Sequence, residues 1–379
     1  MKIGYDAKRL YKNFTGLGNY SRTLVGNLQL FYPENEYYLY TPDIRQNEMT
    51  DSFLNNAAFH TVMPRGKLKG WWRTSAIKKD LKKDRIDIFH GLSHEIPLRM
   101  QHTGIRSVVT IHDIIYRTFP DMYSLIDRKI YDFKFKYACR HADKIIAISE
   151  CTKKDIIRFF GIPESKIAVI YQAIQPIFYQ MQEAGEARKK VERFHIPPDY
   201  LLYVGSVNSR KNLLGIVKAL RLLPSHLQLP LVIIGNGRGY KKQVEEYASA
   251  HRLSQRLIWL NNLTDSSVLQ AFYQSARIFI YPSFYEGFGL PVTEALLSKV
   301  PVITSSVSSL PEAGGDYCYY VNPSQPEEIA EGIRKIIEDP AFCNKLTAGG
   351  YEFAHRQFDP RLLTQKVNDV YRELLSLRS

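Results

Sequence analysis

Short, nearly all-apolar runs alternate with amphipathic helical stretches along the chain. The alternation breaks once, at a proline-bearing, highly charged segment, and then restarts. With a length of 379 residues, these observations predict an α/β protein of two Rossmann-like, doubly wound domains facing across a cleft. Strands that are apolar throughout, rather than alternating, belong to parallel sheets covered by helices on both faces. A chain this long exceeds one ordinary core.

In the first domain the candidate strands are Lys2–Tyr5, Tyr37–Thr41, His60–Met63, Ile86–His90, Ser107–His112, Lys144–Ser149 and Lys166–Tyr171. Between them Tyr20, Leu24, Leu28 and Phe31 recur at helical spacing, and Leu125–Cys139 forms a helix rich in Tyr and Phe. Ser149 is placed to cap a helix that Gly161 closes before Pro163. Gln172–Pro176, the charged helix Glu183–Phe194 and Ile196-Pro-Pro read as a linker. Strands then resume at Tyr200–Gly205, Leu229–Gly235, Leu257–Leu260, Arg277–Tyr281, Pro301–Ser305 and Cys318–Val321. A last amphipathic helix covers Arg361–Leu375. The expected division is residues 1–176 with 361–379 in one domain and 177–360 in the other.

Hydrophobic residues are 45% and charged residues 23%, the balance of a globular protein. No apolar run approaches the ~20 residues that span a bilayer. The start, Met1-Lys-Ile-Gly-Tyr-Asp6, breaks into charge too soon for a signal peptide. Cys139, Cys151, Cys318 and Cys343 form no Cys-x-x-Cys pair and read as cytosolic thiols. The expected location is therefore cytoplasmic. Net charge is +13, concentrated in the first half. Such an excess suits a polyanionic neighbour or a solvated surface, and no nucleic-acid motif accompanies it.

Four constellations fall at strand ends, where ligands of doubly wound sheets bind. Tyr281-Pro-Ser-Phe-Tyr-Glu286-Gly-Phe-Gly-Leu-Pro291-Val-Thr-Glu294 reads strand, glycine turn, helix start. Backbone N–H groups at Gly287, Phe288, Gly289 and Leu290, with the helix dipole, suit a phosphate. A carboxylate repels phosphate, so Glu286 and Glu294 are expected to serve sugar or ribose hydroxyls. Arg210 and Lys211, in the βα turn after Gly205, are suited to neutralise a diphosphate. Gly16 and Gly18 open a helix early in the first domain, and His112-Asp113 ends a strand there. His90-Gly91, ending the preceding strand, is a lesser candidate. No Asp-x-Asp or His-Glu-x-x-His occurs, so no metal and no other cofactor is expected.

Glu286 and Glu294, separated by seven residues and set in Tyr-Glu-Gly-Phe-Gly-Leu-Pro, resemble the Glu-x7-Glu signature of retaining glycosyltransferases of family 4, which have the GT-B fold. The resemblance covers essentially the whole chain. The glycine turn, Ile-His-Asp, Arg-Lys-Asn and the paired glutamates follow the family's order and spacing. It implies that Arg210 and Lys211 bind the donor diphosphate, and that Gly287 to Leu290 hold phosphate and sugar hydroxyls. It implies Glu294 on the ribose diol, Glu286 at the donor sugar and His112 close to the transferred sugar. Gly16 and Gly18 would face the diphosphate, and the last helix would cross back to the first domain. Many members carry Arg directly after the glycine corresponding to Gly205; here it is Ser206, which leaves Arg210 less secure than Lys211. The family implies same-face attack, the departing phosphate taking the acceptor proton.

Thr15-Gly-Leu-Gly-Asn-Tyr20 with Ile-His-Asp looks most like bacterial mannosyltransferases of polysaccharide and lipopolysaccharide assembly, which implies GDP-mannose as donor; UDP-linked hexoses stay open. A sugar-nucleotide 2-epimerase, a phosphorylase and a silent glycan-binding module are the rival readings. The basic stretch Arg65-Gly-Lys-Leu-Lys-Gly-Trp-Trp-Arg73, continued by Lys78–Arg85, is expected to rest on an anionic membrane and admit a lipid-diphosphate-linked glycan. The enzyme would then be peripheral on the inner face of the cytoplasmic membrane.

Overall fold

The computed structural model describes residues 1–377 except 238, 262 and 264. It divides into two compact units, Met1–Ala173 with Phe358–Ser379, and Ile174–Gln357.

The first unit holds a seven-stranded sheet in the order β3-β2-β1-β4-β5-β6-β7. Its strands are β1 (Lys2–Asp6), β2 (Glu36–Tyr40), β3 (Phe59–Val62), β4 (Ile88–Gly91), β5 (Arg106–Ile111), β6 (Lys144–Ala147) and β7 (Ile167–Val169). Every pairing is parallel. All seven expected strands are present, with ends shifted by at most two residues. Order reverses beside β1, so β1 and β4 diverge at a switch point. The helix Gly16–Phe31 follows β1 and packs against the terminal helix Pro360–Ser376. That terminal helix belongs to the first unit, as its family pattern implied. Leu363, Val367, Val370, Tyr371 and Leu374 are its buried stripe, at helical spacing. Arg361 and Arg372 lie over the rings of Phe31 and Tyr32.

The second unit holds a six-stranded parallel sheet in the order β10-β9-β8-β11-β12-β13. Its strands are β8 (Leu201–Val204), β9 (Leu231–Ile234), β10 (Leu257–Leu260), β11 (Ile278–Tyr281), β12 (Val302–Ser305) and β13 (Tyr319–Val321). Here β8 and β11 flank the switch point, and their C-terminal ends carry the two motifs with most charge.

Two expectations fail. The charged helix, observed as Ala184–Glu192, is no linker but part of the second unit. Ala187 and Val191, four apart, bury one face, and Lys190 Nζ bonds Gln182 Oε1 (2.6 Å) and Ser267 Oγ (2.5 Å). The Trp71-Trp72 pair is also split. Trp71 is exposed, but Trp72 is buried and its indole N–H donates to Asp80 (2.6 Å). Arg73, counted among the surface cations, is instead a largely buried bridge, its Nε and Nη2 donating to Asp6 and its Nη1 to Glu95. Burial of such a cation requires this pairing.

Candidate active site

In the second unit the chain leaves β8 at Gly205 and makes a tight turn over Ser209–Lys211. Asn208 Oδ1 accepts from the Lys211 N–H (3.2 Å), and Asn212 adopts the left-handed conformation at φ 56°. The Asn212 side chain holds this turn to its neighbours by donating to the carbonyls of Pro282 (3.2 Å) and Pro323 (2.6 Å). The turn so fixed aims Arg210 and Lys211 at the loop after β11. There Gly289, at φ 112°, caps the helix Leu290–Leu297, with Pro291 in its first turn. A side chain at Gly289 would be strained, and its Cβ would lie 2.8 Å from Leu310 Cδ2.

Glu286 is the centre of this loop. Its Oε1 lies 2.9 Å from Arg210 Nη1 and 3.2 Å from Lys211 Nζ. The same oxygen accepts from Tyr281 Oη (2.9 Å) and Ser283 Oγ (2.8 Å). Lys211 Nζ also donates to the Tyr281 hydroxyl and sits 4.8 Å from the centre of its ring. Arg210 reaches the Tyr285 carbonyl as well. Ser309 Oγ secures the turn by donating to the carbonyls of Glu286 and Phe288, both at 2.9 Å. Burial alone would raise the Glu286 carboxyl, but Lys211, Arg210 and the two hydroxyls hold it down to about 2. Burial lowers the Lys211 ammonium, against the opposing pull of Glu286.

Glu294 faces a different environment. Tyr273 Oη donates to its Oε2 (3.0 Å), and burial pushes it up to about 7, with that bond and Lys211 opposing. Two carboxylates of one motif are thus split by their surroundings, one permanently ionised and one titrating near neutrality. This is the pattern that separates roles in active sites.

The first unit treats its candidates differently. His112, at the end of β5, is buried; Nε2 donates to the Leu92 carbonyl (2.9 Å) and Nδ1 accepts from Gln172 Nε2 (3.0 Å). A carbonyl only accepts, so the proton is on Nε2 and the ring is neutral. Burial and the neighbouring His94 push its pKa down to about 3. Tyr20 meets the ring edge-on at 4.6 Å. His90 is wholly enclosed, with Nδ1 on Tyr371 Oη (2.6 Å) and Nε2 on Thr110 Oγ1 (2.8 Å). It ties the terminal helix to the sheet. At the glycine turn, the Gly18 N–H is already engaged by Asn13 Oδ1 (3.0 Å) and the Thr15 carbonyl (3.0 Å). Gly18 is glycine because a Cβ there would lie 1.6 Å from the Asn13 carbonyl oxygen. Gly16 is exposed with open space around it.

Arg210, Lys211 and Glu286 are therefore one cluster, with Gly287–Leu290 and Glu294 on the same motif, while His112, Gly16 and Gly18 lie in the other unit. The hydrogen-bonding roles of Tyr281, Ser283, Asn212 and Gln172, and Tyr273 altogether, escaped the sequence reading. Tyr281 was counted in an apolar strand, and Gln172 as linker. The offset from Tyr281 to Glu286 was the one available signal.

Comparison with known proteins follows the same division. Residues 16–176 match the model described as Glycosyltransferase Family 4, and residues 186–353 that of Glycosyl transferases group 1. O-antigen chain mannosyltransferase B of Escherichia coli is 28% identical over 385 residues, covering 97% of this chain and 99% of that protein. Among solved structures, sucrose-phosphate synthase from Thermosynechococcus elongatus has a TM-score of 0.79 at 20% identity, with 100% of each chain covered. Anabaena HepE, solved with UDP and glucose, has a TM-score of 0.74 at 16% identity, covering 97% of this chain and 98% of that one.

Proposed function

Because the chain belongs to the glycosyltransferases of the GT-B fold, its first half matching family 4 and its second half group 1, we propose that it moves mannose from GDP-mannose to a glycan or lipid-diphosphate-linked glycan, with retention of configuration and without a metal. The observation that carries the site assignment is the convergence of Arg210, Lys211, Tyr281 and Ser283 on one oxygen of Glu286. The similarity to O-antigen chain mannosyltransferase B, along nearly all of both chains, supports mannose.

In this reading the donor diphosphate takes over Arg210 and Lys211 from Glu286. The glycine turn and helix start at Gly287–Leu290 add backbone dipoles. Glu286, released from its cations, accepts hydrogen bonds from the donor sugar. Glu294 accepts from the ribose diol, a task for its ionised form. The cations then stabilise the charge that develops on the leaving phosphate, and that phosphate receives the acceptor proton. No second carboxylate is needed as nucleophile. His112, locked by Leu92 and Gln172, acts in positioning the sugar and not in proton transfer.

A thermal-shift series with GDP, UDP and ADP sugars tests the donor. A ligand at 100 times its Kd adds about 2.7 kcal/mol of stability. GDP-mannose is expected to raise Tm. A rise confined to UDP sugars moves the reading to a UDP-dependent hexosyltransferase, and donor conversion without acceptor moves it to an epimerase.

A further inference from the structure

Glu286 is held from two directions, and only one of them involves its side chain. The carboxylate takes Arg210, Lys211, Tyr281 and Ser283. The backbone is held by Ser306-Val-Ser-Ser309, the loop that follows β12. β12 pairs in parallel with β11, Thr304 opposite Tyr281, so the two strands end side by side. Thr304 Oγ1 donates to the Tyr281 carbonyl (2.8 Å) just before the chains diverge. Beyond it, Ser308 Oγ accepts from the Glu286 N–H (3.1 Å). Ser309 Oγ divides its one hydrogen between the carbonyls of Glu286 and Phe288, both at 2.9 Å. Two adjacent serines thus engage both backbone polar groups of a single residue.

The contact is built, not incidental. Ser308 is left-handed at φ 58°, a conformation that costs any residue with a Cβ and persists where the surroundings over-determine it. Ser309 is wholly buried, so its hydroxyl has no solvent to bond instead. The loop is itself anchored. The Ser306 N–H donates to the Val321 carbonyl on β13 (3.0 Å), and the Ser309 carbonyl accepts from Glu312 (3.0 Å) and Ala313 (3.1 Å) in the helix Leu310–Gly314. That short helix packs on the glycine turn, where Leu310 and Ala313 are the atoms a Cβ on Gly289 would meet.

The two sets of contacts fare differently when donor arrives. With the diphosphate on Arg210 and Lys211, the carboxylate gives up both cations and turns to the sugar. The serine contacts are to backbone and lose nothing in that exchange. We propose that Ser308 and Ser309 are positioning residues, which fix the Glu286 peptide as a pivot so that the released carboxylate swings onto the donor sugar. The proposal rests on the role given to Glu286 above. Gly287 and Gly289 leave the loop permissive. Unclamped, it would drift with a buried carboxylate seeking a new counter-charge, and a misplacement of about 1 Å is enough to lose a productive contact.

The test isolates the sugar's share of binding, the ratio of the GDP to the GDP-mannose dissociation constant, by calorimetry on the full chain. UDP and UDP-glucose replace them if thermal shifts select uridine. Wild type is expected to bind the nucleotide sugar about tenfold more tightly than the nucleotide, the worth of a hydrogen bond to a carboxylate. Ser308→Gly, in which glycine suits the left-handed backbone, and Ser309→Ala are each expected to cut that preference to about threefold or less, with the GDP constant unchanged. In a Glu286→Ala chain, Ser308→Gly is expected to change the ratio no further, because the serine acts through Glu286. Ser308→Gly alone serves if Ser309→Ala melts early. Equal weakening of GDP and GDP-mannose, a wild-type preference kept by the variants, or a further loss in the Glu286→Ala chain would overturn the clamp and leave the role of Glu286 standing. Equal constants in wild type would overturn that role, and the clamp with it.

Discussion

At Glu286 two cations and two hydroxyl donors share one carboxylate oxygen. Removing Lys211 deletes the ammonium that both neutralises Glu286 and is assigned to the leaving phosphate. Lys211→Ala is expected to lower turnover by about 100-fold or more while leaving the fold intact, measured as kcat beside far-UV circular dichroism. Glu294 gives a pH signature. Its folded pKa, about 7, lies above its ordinary value of 4.5, so the folded state binds the extra proton between those values. Stability from this group is therefore full below about pH 4.5 and declines as pH rises through 7, by about 3 kcal/mol at most. Glu286 runs the other way, losing its contribution only toward pH 2, outside that window. His90, His94 and His112, held neutral by burial with pKa pushed down to about 3, make stability rise with pH up to about 6.5, so the Glu294 signature is a difference: between pH 5 and 8 the urea midpoint of wild type should lose ground to that of Glu294→Gln as pH rises. Donor affinity should rise over the same range, as the carboxylate becomes able to accept from the diol. A wild-type-minus-variant difference that does not change with pH, together with a pH-independent donor affinity, would remove the ribose assignment.

Elements place these residues through two glycines with different work. Gly289 supplies a left-handed helix cap, and Gly18 lets the Asn13 carbonyl approach. Gly18→Ala is expected to cost more than about 2 kcal/mol, because the obstacle is backbone. Gly16→Ala, exposed in the first helical turn, should lie within about 1 kcal/mol of wild type. Paired urea denaturation separates them. Strands were legible because parallel strands buried on both faces write themselves as apolar runs. The charged helix Ala184–Glu192 was legible as a helix but not as part of the second unit, because its buried stripe is only Ala187 and Val191 beneath seven mostly charged or small neighbours. The motif's two glutamates were legible by spacing, but their opposite ionisation was not. That difference is made by Tyr273, Tyr281 and Ser283, which reach the carboxylates only after β11 and the helix Ser266–Ser275 are folded.

For the whole molecule, chain continuity differs between the units. The second is one uninterrupted segment, Ile174–Gln357, with its own sheet and the Arg210–Lys211–Glu286 cluster. The first is completed only by Phe358–Ser379. A fragment of residues 174–357 is expected to melt cooperatively and to shift in Tm with GDP. Residues 1–173 alone should not melt cooperatively. They lack the terminal helix that covers the helix Gly16–Phe31 and gives Tyr371 to His90. Calorimetry of both fragments decides.

The cluster around Glu286 also bears on what the protein ignores. Two cations in a glycine-lined turn would be a trap for any passing phosphate. Here the trap is already shut by a tethered carboxylate, whose local concentration no dissolved anion easily matches. A simple phosphate that evicts Glu286 leaves it buried with two hydroxyls and no counter-ion. A nucleotide sugar that evicts it offers sugar hydroxyls in exchange. On the proposed assignment, Glu286 would favour an anion that arrives with a sugar attached over a simple phosphate.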